Sequence, residues 1–278
     1  MTDQLHQIEG PYAGTEPYDL ETRARLERDA KEIIARYPKT RSALLPMLHL
    51  VQSEDGHITR RGIDLCAELL GITPAQVTGV ATFYTQYKRE PVGEYHVGVC
   101  INTLCAVMGG DQIWAELSAH TGVGHDETTP DGKVSLERIE CNAACDFAPV
   151  MTVNWEFFDN MTPAKAKELV DDLRSSKEVL PSRGPNGLCT WKQASRVLAG
   201  FPDGRAHEGV QAGPESLRGL ELAKERGWEA PPSNGTGAGR VGPDEPVQAG
   251  EVTDPPPNEP GEPIGGDVKP GSQEGKNQ

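Results

Sequence analysis

Aromatic residues are scarce in this sequence. Phe, Trp and Tyr make up 5% of its 278 residues, and the whole hydrophobic set only 36%. So few large side chains do not fill one large core, so part of the chain is expected to lie outside any core. Cysteine is scarce too. Six cysteines in 278 residues exclude a disulfide-stapled secreted fold. Long apolar runs are missing. The most apolar stretch, Leu44–Val51, is interrupted by Pro46 and His49, whereas a membrane span needs about 20 such residues. The polar opening, Met1 to Gly10, lacks the basic and apolar regions of a secretory signal, so a cytoplasmic location is expected. Positive charge is in deficit: 27 Lys and Arg against 42 Asp and Glu leave a net charge of −15. That excludes a nucleic-acid groove and an anionic-membrane binder. Neither G-x-G-x-x-G nor a Walker-type phosphate loop occurs, so nucleotide or flavin binding by this chain alone is not expected.

Gly and Pro are abundant, with 31 and 23 residues, but unevenly placed. Residues 229–278 hold ten of each, no aromatic residue and no Leu, with nine acids and three bases. Such a segment cannot bury enough apolar surface to offset its chain entropy, and it reads as a disordered tail. Residues 1–180 carry −11 by themselves, so the front of the chain is acidic in its own right.

Periodicity divides that front. Leu26, Ala30, Ile33, Ile34 and Tyr37 recur at helical spacing until Pro38 stops them. A second helix is predicted over 41–53, a third from a Thr59 cap to Leu70 with Gly71 beyond it, and a fourth from Thr73-Pro74 to Tyr84. Four short helices in about 70 residues make a small bundle. The period then changes. Strands are predicted over 94–100, 134–139, 150–153 and 155–158, and helices over 108–121 and 162–173. The fold class is therefore α+β: a helical bundle over 19–90 after a flexible start (1–18), then a small α/β sheet domain over 91–180. Residues 181–228 contain two further helical patterns, at 190–199 and 214–226, and read as an extension that needs a partner surface. Trp191 and Trp228 lie in it, and large aromatics there require burial.

Four cysteines form two pairs. Cys100 and Cys105 make C-x4-C, and Cys141 and Cys145 make C-x3-C. Each pair starts at a predicted strand end and occupies the loop that follows, so one rim of the sheet can bring all four together. Four thiolates so placed suit a [2Fe–2S] cluster or a tetrahedral zinc ion. Neither pair has the tight C-x2-C of zinc sites or of thiol–disulfide oxidoreductases. The spacers are small or neutral, which lets backbone N–H groups approach cluster sulfurs. Cys66 sits on an apolar helix face and reads as core; Cys189 has no partner. His49, His57, His96, His120 and His125 show no ligand spacing and read as structural or surface residues. Glu140 and Asp146 flank the cysteines, and they bear on a cluster's potential only if they sit close. Phe83 and Tyr84 close the fourth helix, where they pack the two modules together or meet a partner.

Several strings carry a resemblance. Gly79-Val-Ala-Thr-Phe-Tyr84, Pro91-Val-Gly-Glu-Tyr-His-Val-Gly-Val-Cys100, Thr128-Thr-Pro-Asp-Gly-Lys-Val-Ser-Leu136 and Glu140-Cys141 through Cys145-Asp-Phe-Ala-Pro-Val150 occur in order. Together they resemble the thioredoxin-like [2Fe–2S] E-subunit family of NADH:quinone oxidoreductase, respiratory complex I, over residues 20–175. The resemblance implies a thioredoxin-like ferredoxin domain with one [2Fe–2S] cluster on Cys100, Cys105, Cys141 and Cys145. It implies single-electron exchange with FMN, which a larger F subunit holds together with the NADH site. It places the chain among the peripheral-arm subunits, on the cytoplasmic side of the membrane and without insertion. NAD-linked hydrogenases and formate dehydrogenases use similar subunits, so the resemblance leaves the complex open between them. One departure stands out. The family often has Gly between the second pair, where this chain has Asn142, Ala143 and Ala144.

Overall fold

The computed structural model describes residues 16–184, 186–205 and 213–228. The expected disordered tail (229–278) and most of the expected flexible start lie outside them. The chain divides into a compact unit ending at Glu225 and a second beginning at Arg226. In the second, the Arg226 guanidinium lies 5.1 Å from the ring centre of the exposed Trp228.

Helix α1 (Leu20–Ile34) starts where the Asp19 carboxylate accepts from the Glu21 and Thr22 N–H groups. After a 3-10 turn, α2 (Leu44–Asp55) ends at Gly56, whose φ of +83° is the left-handed conformation that favours glycine at a helix end. The hydroxyl of Thr59 caps α3 (Arg60–Leu70), and a Thr73/Gln76 capping box opens α4 (Pro74–Phe83). Leu26, Ile33, Met47, Leu48, Leu50, Ile58 and Cys66 form the sealed centre of this helical part. The helical pattern read from the sequence holds here, with the second helix shifted a few residues later.

The sheet has the order β2-β3-β1-β4-β5. Strand β1 (Tyr95–Cys100) runs parallel to β3 (Val134–Ile139), with Cys100 opposite Ile139. The short β2 (Glu127–Thr128), β4 (Met151–Val153) and β5 (Glu156–Phe158) are antiparallel to their neighbours. Two helices, α6 (Gly110–Thr121) and α7 (Pro163–Arg174), contribute Ile113, Leu117, Leu169 and Val170 to a second core with Val97, Val99, Leu136 and Met151. The helix expected over 108–121 is α6, and the segment ahead of it, expected as loop, holds a further short helix. This is α5 (Thr103–Val107), and Gly109 makes the break between the two at φ +115°. Cys105 therefore lies on a helix and not in a loop.

Both remaining helices, α8 (Trp191–Leu198) and α9 (Pro214–Glu225), follow the predicted positions. The expectation of a partner surface for Trp191 is corrected: the chain covers this side chain itself. Trp191 is 1% exposed, and its Nε1 donates to the Gly56 carbonyl at 2.7 Å. Gln52 donates to the Ser195 hydroxyl, and Arg196 pairs with Asp29 at 2.8 Å. The Trp191 N–H donates to the Glu94 carbonyl, and the Asn154 amide donates to the Cys189 carbonyl. The segment straps the helical part to the sheet. Helix α9 buries no residue.

Candidate metal centre

The parallel pairing of β1 and β3 brings the ends of two strands to one rim. Cys100 is the last residue of β1, and Cys141 follows β3 by two residues. The Cys100 N–H donates to the Val150 carbonyl at 3.1 Å, which holds the strand end in the sheet. From there the chain turns into α5, whose third residue is Cys105. Gly110 permits that turn. A Cβ there would lie 2.6 Å from the Cys100 carbonyl oxygen and 2.8 Å from that of Cys105. Across the rim, the amide of Asn102 donates to the Glu140 carboxylate at 2.7 Å and ties the two cysteine segments together.

The second segment is tightly wound. Ala143 takes φ +56°, and its N–H donates to Cys141 Sγ at 3.4 Å. The chain then enters a 3-10 turn, Cys145–Phe147. The sulfurs of Cys141 and Cys145 are 3.5 Å apart. Two sulfurs on one tetrahedral metal at about 2.3 Å stand about 3.8 Å apart, so this pair is spaced as ligands of one metal.

All four cysteines line one small cavity, together with Asn142, Ala144 and Val150. Cys100 and Cys105 are buried, while Cys141 and Cys145 face outward. Burial pushes the Cys100 thiol up to about 11, and the nearby Cys105 and Cys141 sulfurs add to the rise. Cys145 is raised first by its contact with Cys141, then by burial and by Cys100 and Asp146. Each ionisation opposes the others, so four thiolates here require bound positive charge. Among the described residues, no three His, Cys, Asp or Glu side chains are placed to hold a single metal ion. Two cysteine pairs that line one cavity, one of them with sulfurs 3.5 Å apart, fit the four-thiolate donor set of a two-iron cluster.

The remaining candidates sort by contact. Cys66 is fully buried in the helical core, and burial pushes its thiol up to about 12. Cys189 is half-buried and apart from the four. Glu140 sits at the rim on Asn102, and Asp146 accepts from the Ser216 hydroxyl of α9 at 3.1 Å. Phe83 does not pack the modules together: it is 77% exposed, and Tyr84 is exposed beside it. The sequence reading missed Leu104, Val107 and Met108, which are exposed on and just after the helix that carries Cys105. A helix break at the Gly109-Gly110 pair is the sequence signal that marks them.

The family model for thioredoxin-like [2Fe-2S] ferredoxins matches residues 30–174. The E subunit of NADH-quinone oxidoreductase from Mycobacterium tuberculosis is 60% identical over 220 residues, 78% of this chain and 86% of that protein. That alignment necessarily runs past the family-model match. NADH-quinone oxidoreductase subunit 2 of Thermus thermophilus is 39% identical over 152 residues, 54% of this chain and 84% of the relative. Among solved structures, a thioredoxin-like [2Fe-2S] ferredoxin from Aquifex aeolicus aligns with a TM-score of 0.26 and 19% identity, over 32% of this chain and 87% of that one. The assignment rests on the family model and the relatives: this chain belongs to the thioredoxin-like [2Fe-2S] ferredoxin family.

Proposed function

We propose that the chain is the iron–sulfur electron-transfer subunit of an NADH:quinone oxidoreductase, with one [2Fe–2S] cluster on Cys100, Cys105, Cys141 and Cys145. The observation that carries this reading is the convergence of two cysteine pairs on one cavity. The identity of 60% across 86% of an E subunit supports the quinone-linked complex over a hydrogenase or a formate dehydrogenase. When bound, the cluster supplies one-electron chemistry, which splits the two-electron oxidation of a flavin into single steps.

The chain's own residues hold and insulate. Cys100 and Cys105 anchor from the buried side, and Ile139, Ala148 and Val150 keep water from it. The Ala143 N–H donates to the Cys141 sulfur, and hydrogen bonds of that kind raise a cluster's potential. Leu104, Val107 and Met108 offer an apolar surface next to Cys105, which suits contact with the FMN- and NADH-binding F subunit. In this reading residues 19–90 form the bundle that frames the site and residues 91–180 carry it. Among the described residues, no helix is long and apolar enough to cross a membrane. In this reading the chain sits on the membrane's cytoplasmic side among other peripheral-arm subunits.

Chain purified without oxygen should contain two irons and two sulfides and give an EPR signal on dithionite reduction. Serine at any of the four ligands should remove or distort that signal, and serine at Cys66 or Cys189 should leave it. A colourless chain with one zinc would overturn the reading.

A further inference from the structure

Four residues before each strand-end cysteine stands a buried ionisable residue: His96 on β1 and Glu137 on β3. Side chains alternate along a strand, so His96 shares its face with Gly98 and Cys100, and Glu137 shares its face with Ile139. The two meet: His96 Nε2 lies 2.6 Å from one Glu137 oxygen. Lys88, on the segment between α4 and β1, holds the other oxygen at 2.6 Å and reaches Asp126 at 3.3 Å. His96, Glu137 and Lys88 are all more than nine-tenths buried. The Trp155 and Trp191 rings pack against the imidazole in tilted contacts, with ring centres at 5.3 and 5.1 Å.

Two features set this cluster apart from an ordinary buried ion pair. The His96–Glu137 approach is close but off-axis, and neither imidazole nitrogen makes a well-aligned hydrogen bond. The Thr152 hydroxyl, opposite Gly98 and thus two residues nearer Cys100 than His96 is, is also buried and unpaired among the described residues. Buried polar atoms without partners are rare and call for an explanation. The cluster also opens onto a cavity of about 500 Å³ lined by Tyr84, Arg89, Glu90, His125 and Trp155 as well as by His96 itself. Lys88 and Glu137 line the same cavity, so a proton from its water reaches the imidazole, whose two nitrogens are themselves sealed, through the Glu137 carboxylate. A buried ion pair is, in addition, a weak source of stability compared with apolar packing.

We propose that the His96–Glu137–Lys88 cluster is the proton-accepting partner of the one-electron centre, His96 gaining a proton from water in the cavity when the centre gains an electron from the partner's flavin. The inference rests on the cluster reading above. The added electron is one negative charge, about 13 Å up the strand from His96 and separated from it by protein, where salt screens little. It favours the protonated imidazole, and by linkage the protonated imidazole favours the electron. The groups facing His96 are Glu137 from β3, Lys88 from the linking segment and Asp126 from the turn before β2. The nearby α8 charges are engaged elsewhere, Lys192 on the Glu54 carbonyl and Arg196 on Asp29. Burial first, and then Lys88, hold the imidazole below its usual value of 6.5, against the pull of Glu137. Below that lowered value both redox states are protonated, and the potential is flat. Between it and the higher value that the added electron gives the imidazole, the reduced state holds more of the proton and the potential falls as pH rises; above both values neither state is protonated and the potential is flat again.

The test is an EPR-monitored redox titration of the full chain at a series of pH values. In wild type the potential should fall with pH from a point below 6.5, by up to about 59 mV per tenfold change in proton activity. His96→Gln should retain iron, sulfide and the EPR signal, and its potential should be flat. Lys88→Gln leaves Glu137 to the imidazole alone, so its sloping window should move to higher pH. A flat wild type, a slope surviving in His96→Gln, or an unmoved window in Lys88→Gln would each overturn the proposal. If His96→Gln lost its cluster, the Lys88→Gln window would decide. Wild-type chain that never carries two irons and two sulfides would sink the parent reading, a result distinct from a loaded but pH-independent protein.

Discussion

At Ala143 the backbone adopts a conformation that costs an L-residue about 1–2 kcal/mol relative to glycine. The residue is needed there: its N–H reaches back to the Cys141 sulfur across the tight turn between the second pair. The sequence displayed the departure, alanine where relatives in the resemblance often carry glycine, but not its physical content, because spacing says nothing about φ. Ala143→Gly should relieve the strain and stabilise the loaded protein by up to about 1 kcal/mol, after the larger chain entropy of glycine is offset. Thermal unfolding of the two holo-proteins checks this, and the EPR line shape should be retained. Trp155 occupies the same backbone region at φ +75°, and there the ring lies in tilted contact with the rings of His96 and Trp191. The buried contact of His96 with Glu137 was equally invisible. A histidine without ligand spacing reads as structural, and its charged neighbour stands 41 positions away in sequence.

At the scale of elements, the strap formed by α8 explains why a segment rich in Gly and Pro folds at all. Its helix is two turns long, too short to be stable in isolation. What holds it is a Thr190/Gln193 capping box and a single large anchor, Trp191, which touches both the helical part and the strand that leads to Cys100. Trp191→Ala should cost about 3–5 kcal/mol. Calorimetry of the holo-protein should show a lower Tm, with the four-cysteine site still able to bind iron when folded. The helices of the bundle were legible because their caps and stops are local: Thr59, Thr73-Pro74 and Gly71 act within one turn. The strap's destination was not legible. An amphipathic helix with a tryptophan signals that burial is needed, and sequence alone does not say whose surface provides it. Helix α5 escaped for a different reason: with five residues it is too short for an apolar period to mark it.

For the molecule as a whole, the scarcity of aromatics resolves into two modest cores, one helical and one between the sheet and its two helices, with a third small cluster around the cysteines. The acidic Gly- and Pro-rich residues 229–278 belong to none of the described cores. A chain truncated after Trp228 should keep its iron and sulfide content, its EPR signal and its Tm, all measurable against the full-length protein. The site, by contrast, depends on agreement between distant parts of the chain. Cys100 and Cys141 meet because β1 and β3 pair in one register, Cys100 opposite Ile139. Slipping that ladder by a single residue would turn every β3 side chain to the opposite face and carry Cys141 off the rim. The hydrogen-bond ladder is thus the ruler against which the donor set is cut. Its tolerance is less than one residue, and any substitution that loosens β1–β3 pairing acts on the redox site without touching a sulfur.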